Sequence, residues 1–209
     1  MFIELRKGRP EDAPHLAPLI LSSAETLLAY VFGAKTEALD FLAKACAAKD
    51  GQYSAQRHVV ATDAPAGKTQ ESDSSLVVAC MSLWHSKMPK EFQQATLQSL
   101  TNFLNSQQLA HIIHANRLLE ALFLPPLEHE LCIGHLSVTA QYQGKDIASK
   151  LLAFALREAK HLGKTRLVLD VETSNEAAIS FYQKWNFISL KEKKFTPTQQ
   201  VFVRMQRSV

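Results

Sequence analysis

The chain has 209 residues, of which 46% are hydrophobic and 21% charged, and this is the composition of an ordinary globular protein with one full-sized core. The formal net charge of +3 is too small to indicate a nucleic-acid partner, and no apolar run approaches the roughly 18 residues that a membrane-spanning helix needs. Glu4 within the apolar N-terminus argues against a signal peptide, and the three well-separated cysteines predict reduced thiols, so we expect a cytoplasmic protein without a membrane partner.

The N-terminal part of the chain predicts one strand and two helices. Residues 2–7 alternate apolar and polar side chains, which predicts a strand. Pro10 and the two acids after it favour a helix start, and apolar residues continue at helical spacing until Gly33. We expect a second helix with Thr36 as its N-cap and Gly51 as its end.

The middle of the chain predicts two strands and two helices. Residues 57–62 and 76–84 predict the strands. The segment 63–75 between them is rich in Pro, Gly, Ser and acids, which predicts an exposed and mobile hairpin loop. Residues 88–122 predict two helices that meet at Asn105-Ser106.

Strands and helices alternate in the C-terminal part of the chain. The patterns predict, in order, strand 131–138, helix 145–162, strand 166–171, a helix that opens with the capping box Thr173–Glu176, and strands 187–190 and 201–205. This order favours an α/β fold with at least one parallel strand pair.

The connection between strand 131–138 and the helix that follows it predicts an anion site. The first amides of a helix have no intrahelical partner, and the helix dipole adds partial positive charge there. Gly144 lets a ligand approach the backbone closely, and Ala148 adds little bulk. Pyrophosphate fits such a site, although Asp146 places a carboxylate in the turn. Taken alone, the segment is equally compatible with a plain strand-to-helix connection.

Two motifs between Glu130 and Ile188 resemble the GNAT superfamily of acyl-CoA-dependent N-acyltransferases. The first is the segment 143–148, where the family has Gln or Arg, two residues, Gly, one residue, and Gly or Ala. The second is strand 167–171 followed by a set of helix residues that matches the family in order and spacing: Asn175, Ala178, Phe181, Tyr182, Lys184 and Phe187. Asp146 and Asn186 stand where the family usually has glycine.

The resemblance implies a GNAT-like fold. We expect a mixed, mostly antiparallel central sheet with a parallel strand pair at the CoA site and helices on both faces. Residues 1–209 are expected to form a single domain, in which the helical insertion 88–122 precedes the central strand and covers the acceptor side.

The resemblance also implies a site for acetyl-CoA, with no metal. Leu136, Ser137 and Val138 are expected to pair their backbone groups with the pantetheine arm. Asn175 is expected to contact the pantetheine or phosphate region, as well as to cap its helix. The residues expected around the pyrophosphate are Gln143, Gly144, Lys145, Asp146, Ile147, Ala148 and Ser149.

Two residues are predicted to carry the chemistry. Tyr182 is expected to protonate the departing thiolate, since a phenol with a pKa near 10 is protonated at neutral pH; the alternative is a core aromatic. Glu130 is the first candidate for the general base, with a surface carboxylate as the alternative, and His135 is the second candidate. Strand alternation places Glu130 and His135 on opposite faces unless a bulge intervenes.

The predicted function is N-acetyl transfer from acetyl-CoA to a primary amine, by direct attack in a ternary complex. The acceptor can be a small molecule or a protein, and the sequence leaves the oligomeric state open, including a homodimer. Two other classes remain: a sensor that holds acyl-CoA without turnover, and an interaction domain that binds no CoA.

Overall fold

The computed structural model describes residues 2–64 and 76–209. The strands and helices are β1 (Phe2–Lys7), α1 (Ala13–Ser23), α2 (Glu25–Phe32), α3 (Lys35–Ala47), β2 (His58–Ala64), β3 (Leu76–Trp84), α4 (Lys90–Phe103), α5 (Ser106–Leu122), β4 (Glu130–Val138), α6 (Ile147–His161), β5 (Arg166–Glu172), α7 (Glu176–Lys184), β6 (Ile188–Phe195) and β7 (Gln200–Ser208). Of the predicted hairpin loop 63–75, residues 65–75 lie outside the described residues, and residues 63 and 64 belong to β2.

The strands form one mixed sheet in the order β1-β2-β3-β4-β5-β7-β6. Neighbouring strands are antiparallel except β4 and β5, which are parallel. Helix α6 connects these two strands along the chain. Their register runs from Glu130 opposite Arg166 to Cys132 opposite Val168. Beyond Cys132, β4 pairs with β3 alone among the described strands. The predicted fold class is therefore confirmed, and β4 separates from β5 where a ligand was expected to enter.

Helices cover both faces of the sheet, because alternate strand residues point to opposite sides. Val60, Val77 and Cys80 pack against α1 and α3, on what we call the α1 face. Val78 and Met81 belong to the core around α6 and α7, on what we call the α6 face.

The helix predicted from Pro10 to Gly33 is wrong in one respect: it breaks at Ala24, where φ is −158° and ψ is 53°. The hydroxyls of Ser22 and Ser23 donate to the carbonyls of Leu19 and Ile20, and such local bonds compete with helix continuation. The next helix begins at residue 35 with Ala34 as N-cap, so the predicted Thr36 cap is also wrong.

Within residues 2–64 and 76–209, no single helix is long and apolar enough to cross a membrane. The segments Pro10–Ser23 and Glu25–Phe32 meet a test of length and composition only as a pair, with a bend of 103° between them.

The predicted helical insertion forms α4 and α5, which meet at the expected joint. Asn105 caps α5 in a capping box with Gln108. The Nε2 atom of His111 lies 2.7 Å from the carbonyl oxygen of Tyr30 at the end of α2. Lys193 on β6 donates to the carbonyl of Ala121 at 3.0 Å. The insertion thus contacts both α2 and the β6–β7 hairpin.

Candidate functional site

A cleft of about 910 Å³ opens where β4 separates from β5. The first turns of α6 and α7 form one side, and the end of α1 forms the other. It is lined by His15, Pro18, Leu19, Ser22, Ser23, Leu136, Ser137, Val138, Thr139, Ala140, Tyr142, Gln143, Gly144, Asp146, Ile147, Ala148, Ser149, Asn175, Ala177, Ala178, Phe181 and Tyr182. The structure therefore brings together all the predicted CoA residues except Lys145.

The turn before α6 and the first turn of the helix line this cleft. Gly144 has φ 72° and Asp146 has φ 62°, both in the left-handed region. Asp146 is the N-cap of α6, but its side chain makes no capping hydrogen bond. The Asp146 carboxylate therefore does not cap the amides of Ile147 and Ala148. Anion binding at a helix N-terminus requires such uncapped amides.

The same turn is tied to neighbouring strands. Gln143 Nε2 donates to the carbonyl of Val138 at 3.1 Å. The Tyr142 hydroxyl donates to Asp63 Oδ2 at 2.9 Å, and the Lys145 ammonium lies 4.8 Å from the centre of the Tyr142 ring. Sequence reasoning missed Tyr142 and Asp63, because their contact joins positions far apart in the chain.

Strand β4 meets α1 across the cleft. Ser137 Oγ lies 2.7 Å from Ser22 Oγ, and Ser23 Oγ lies 3.4 Å from His135 Nδ1. The role of α1 was not predicted. The two adjacent serines that interrupt an apolar helix were the signal that could have indicated it.

Helix α7 places Asn175 and Tyr182 in the cleft. Asn175 Oδ1 accepts from the amide of Ala178 at 3.1 Å, so Asn175 is the N-cap and the predicted capping box starting at Thr173 is wrong. Tyr182 is 7% exposed. Burial raises the pKa of its hydroxyl to about 12, so the phenol is protonated at neutral pH.

Glu130 lies outside the cleft, at the opposite end of β4 from Val138. Its carboxylate accepts from the amide of Leu127 at 2.9 Å and lies 3.4 Å from Arg166 Nη1. The side chain is buried, so these contacts hold it at the start of the parallel strand pair.

His135 interrupts the alternation of β4. Its φ is 50°, and the register of β3 with β4 shifts between Cys80 and Ser82. The bulge that would let Glu130 and His135 escape strict alternation is therefore present. Burial, followed by the nearby His58, lowers the pKa of His135 to about 3.

Within the described part of the chain, no group of three or more His, Cys, Asp or Glu side chains is placed to hold a metal ion. A separating parallel strand pair above a helix N-terminus, with a protonated tyrosine beside it, is the arrangement of a GNAT-type acyltransferase. The model of the acetyltransferase (GNAT) family matches residues 77–187, more than half of the chain. The chain therefore belongs to this family, whose members transfer acetyl groups from acetyl-CoA.

Individual relatives add detail. A segment of 59 residues is 39% identical to N-alpha-acetyltransferase 30 of Schizosaccharomyces pombe, and it covers 28% of this chain and 39% of that protein. The N-acetyltransferase from Staphylococcus aureus Mu50 has a similar fold, with a TM-score of 0.65, 19% identity, and coverage of 98% of this chain and 100% of that chain. A chain of the NatC complex bound to Gag peptide and CoA gives a TM-score of 0.56 at 14% identity, over 100% of this chain and 99% of that one.

Proposed function

We propose that this protein transfers the acetyl group of acetyl-CoA to a primary amine by direct attack in a ternary complex. One observation carries the proposal. The same cleft is lined by the part of β4 that does not pair with β5, by the first turn of α6, which has no side-chain cap, and by Tyr182.

The parts of acetyl-CoA are assigned from the properties of the lining. Residues 136–138 offer backbone groups to the pantetheine arm, since β5 does not pair with them. The amides of residues 147–149 receive the pyrophosphate, with Gln143 and Gly144 beside it. Lys145 lies outside the lining, so its ammonium contributes long-range attraction from its position over Tyr142.

The chemical step needs one proton donor and one proton acceptor. The neutral amine nitrogen attacks the thioester carbonyl, the C–N bond forms, and the C–S bond breaks with its electron pair going to sulfur. Tyr182 gives its proton to the thiolate and is reprotonated by the proton that the amine loses. A protonated phenol suits this role because it is an acid at neutral pH without being ionised. We assign no side chain as the base, and water in the cleft can carry the amine proton.

The amine of a polypeptide N-terminus is the first acceptor to test. The similarity to N-alpha-acetyltransferase 30 supports this class, although it covers little more than a quarter of the chain. The acceptor approaches from the α1 face, where the insertion contacts α2 and β6.

Two measurements on the purified protein test the proposal. Millimolar CoA should raise the melting temperature, because a ligand at 100 times its dissociation constant stabilises the folded state by about 2.7 kcal/mol. Acetyl-CoA with an amine panel should then release free thiol only when a suitable amine is present. Stabilisation without thiol release across the panel favours the sensor, a class suggested by the acidic residue Asp146 in the lining of the cleft. No stabilisation overturns both CoA hypotheses.

A further inference from the structure

A second, smaller pocket of about 150 Å³ lies next to the cleft. Its walls come from β3, β4, the loop before β2 and the start of α4. Gly134 and His135 line this pocket, while Leu136 and Ser137 line the cleft. Consecutive residues of β4 therefore face the two spaces, and the contact of Ser23 with His135 marks their boundary.

The pocket lies at the level where β4 leaves β5. The last parallel pair is Cys132 with Val168, and Gly134 follows two residues later. A thioester whose pantetheine arm lies along residues 136–138 brings its acetyl group to this level. A group in the pocket is then a direct neighbour of the reacting carbon.

The helical insertion builds the outer wall. Met88 and Phe92 come from the start of the insertion. The Arg57 guanidinium lies 5.3 Å from the centre of the Phe92 ring, and Arg57 is itself held by Asp50 at 2.7 Å. The aromatic wall is thus fixed by a cation–π contact and an ion pair.

The charge of the lining selects the kind of group that fits. The Arg57 charge is compensated by Asp50, and His135 is neutral at physiological pH. Trp84, Met88 and Phe92 supply apolar surface. A charged group would lose its hydration here without gaining an opposite charge. Apolar cavities of about 150 Å³ hold a benzene-sized group.

We infer that this pocket binds the side chain next to the reacting amine of the acceptor, and that it selects an uncharged, mainly apolar side chain. The inference rests on the proposed function, since it assigns the acceptor half of the same reaction. It makes the insertion the part of the chain that determines specificity, through Phe92.

The test compares acceptors that differ only at this side chain. Short peptide amides beginning with glycine, leucine, tryptophan, arginine or glutamate are incubated with acetyl-CoA, and thiol release gives kcat/KM for each. We expect leucine to exceed arginine and glutamate. Phe92→Ala enlarges the pocket and should raise the tryptophan-to-leucine ratio about tenfold, whereas Phe92→Trp should lower the leucine-to-glycine ratio by a similar factor.

Leu97→Ala is the matched control, because Leu97 lies on the same helix and is exposed. It should leave every ratio unchanged, and the dissociation constant of CoA should be the same in all four proteins. Transfer with the same ratios in all four overturns the inference alone. Transfer to other amines of the panel but to none of these peptides also overturns the inference alone. No transfer to any amine, or no binding of CoA, overturns the proposed function and the inference with it.

Discussion

Asp146 and Asn186 both hold left-handed backbone where the family usually has glycine, with φ of 62° and 60°. Their roles differ because only Asp146 lines the cleft. A carboxylate about 4 Å from a phosphate costs about 1 kcal/mol in water and about 4 kcal/mol at an effective dielectric of 20. Asp146 is exposed, so the lower figure applies. Asp146→Gly should tighten CoA binding about fivefold by calorimetry, and less at high salt.

Asn186→Gly is the control for this change, since it relieves the same kind of backbone strain outside the cleft. Both variants should change the free energy of unfolding alike, and only Asp146→Gly should change CoA affinity. Equal CoA affinity in the two variants would mean that the Asp146 carboxylate points to solvent.

In the proposed mechanism, Tyr182 is the residue on which the chemical step depends most. General acids contribute about 10²–10⁴-fold to rate, so Tyr182→Phe should lower kcat by about a hundredfold. The dissociation constant of CoA should stay nearly the same, because the ring and its packing against Phe187 are kept. Tyr30→Phe is the matched control, since Tyr30 lies outside the cleft lining. Full turnover in Tyr182→Phe would remove the general-acid role.

Among the elements, the start of the parallel pair β4–β5 depends on Glu130. Its carboxylate satisfies the Leu127 amide and lies beside Arg166. Glu130→Gln keeps a hydrogen-bond acceptor but removes the charge, so it should lower the free energy of unfolding by about 1–3 kcal/mol in denaturant titrations. We expect kcat/KM of the folded enzyme to change little. A loss of a hundredfold or more, with a shifted pH–rate profile, would instead assign Glu130 as the base.

The elements also separate what the sequence could predict from what it could not. The turns around Gly144 and Asn186 were predictable, because glycine or asparagine marks the required backbone locally. The break at Ala24 was not, since two serines in an apolar run are compatible with a continuous helix. The strand predicted at 187–190 is too short, because β6 continues to Phe195; its lysines lie in an edge strand, where they discourage pairing with other chains.

The same limit applies to the candidate site. The sequence placed the predicted CoA residues of β4, α6 and α7 together because two short motifs carry them. It could not place Ser23 beside His135, or Arg57 over Phe92, because these contacts depend on how segments that are distant in the sequence pack against each other. The proposed acceptor pocket is lined by residues from several such segments.

For the molecule as a whole, the buried His58 and the half-buried His135 link stability to pH. Burial lowers the pKa of His58 to about 4 and that of His135 to about 3, from an ordinary value of 6.5. His58 Nδ1 lies 2.9 Å from the carbonyl of Ser54, while its Nε2 has no hydrogen-bond partner among the described residues. The folded state therefore holds both rings neutral at pH values where the unfolded chain takes up protons.

The sign follows from this difference. Stability is highest above pH 6.5 and falls as pH is lowered toward the folded-state pKa values, because protons bind the unfolded state preferentially. Each histidine contributes a slope of up to about 1.4 kcal/mol per pH unit. The hydrogen bond with Arg6 lowers the pKa of Asp12 against the effect of burial. Protonation of Asp12 therefore reduces stability only at more acid pH. Denaturant unfolding between about pH 7.5 and pH 5 isolates the histidine contribution.

His58→Phe should remove one group that binds a proton preferentially in the unfolded state. The slope of the free energy of unfolding against pH should then fall by up to about 1.4 kcal/mol per pH unit. His114→Gln removes an exposed histidine of α5 and controls for the change in histidine count. The test depends on the slope and not on the absolute stability of His58→Phe, because this variant also loses the contact with Ser54. An unchanged slope in His58→Phe would show that His58 binds its proton equally well in the folded and unfolded states.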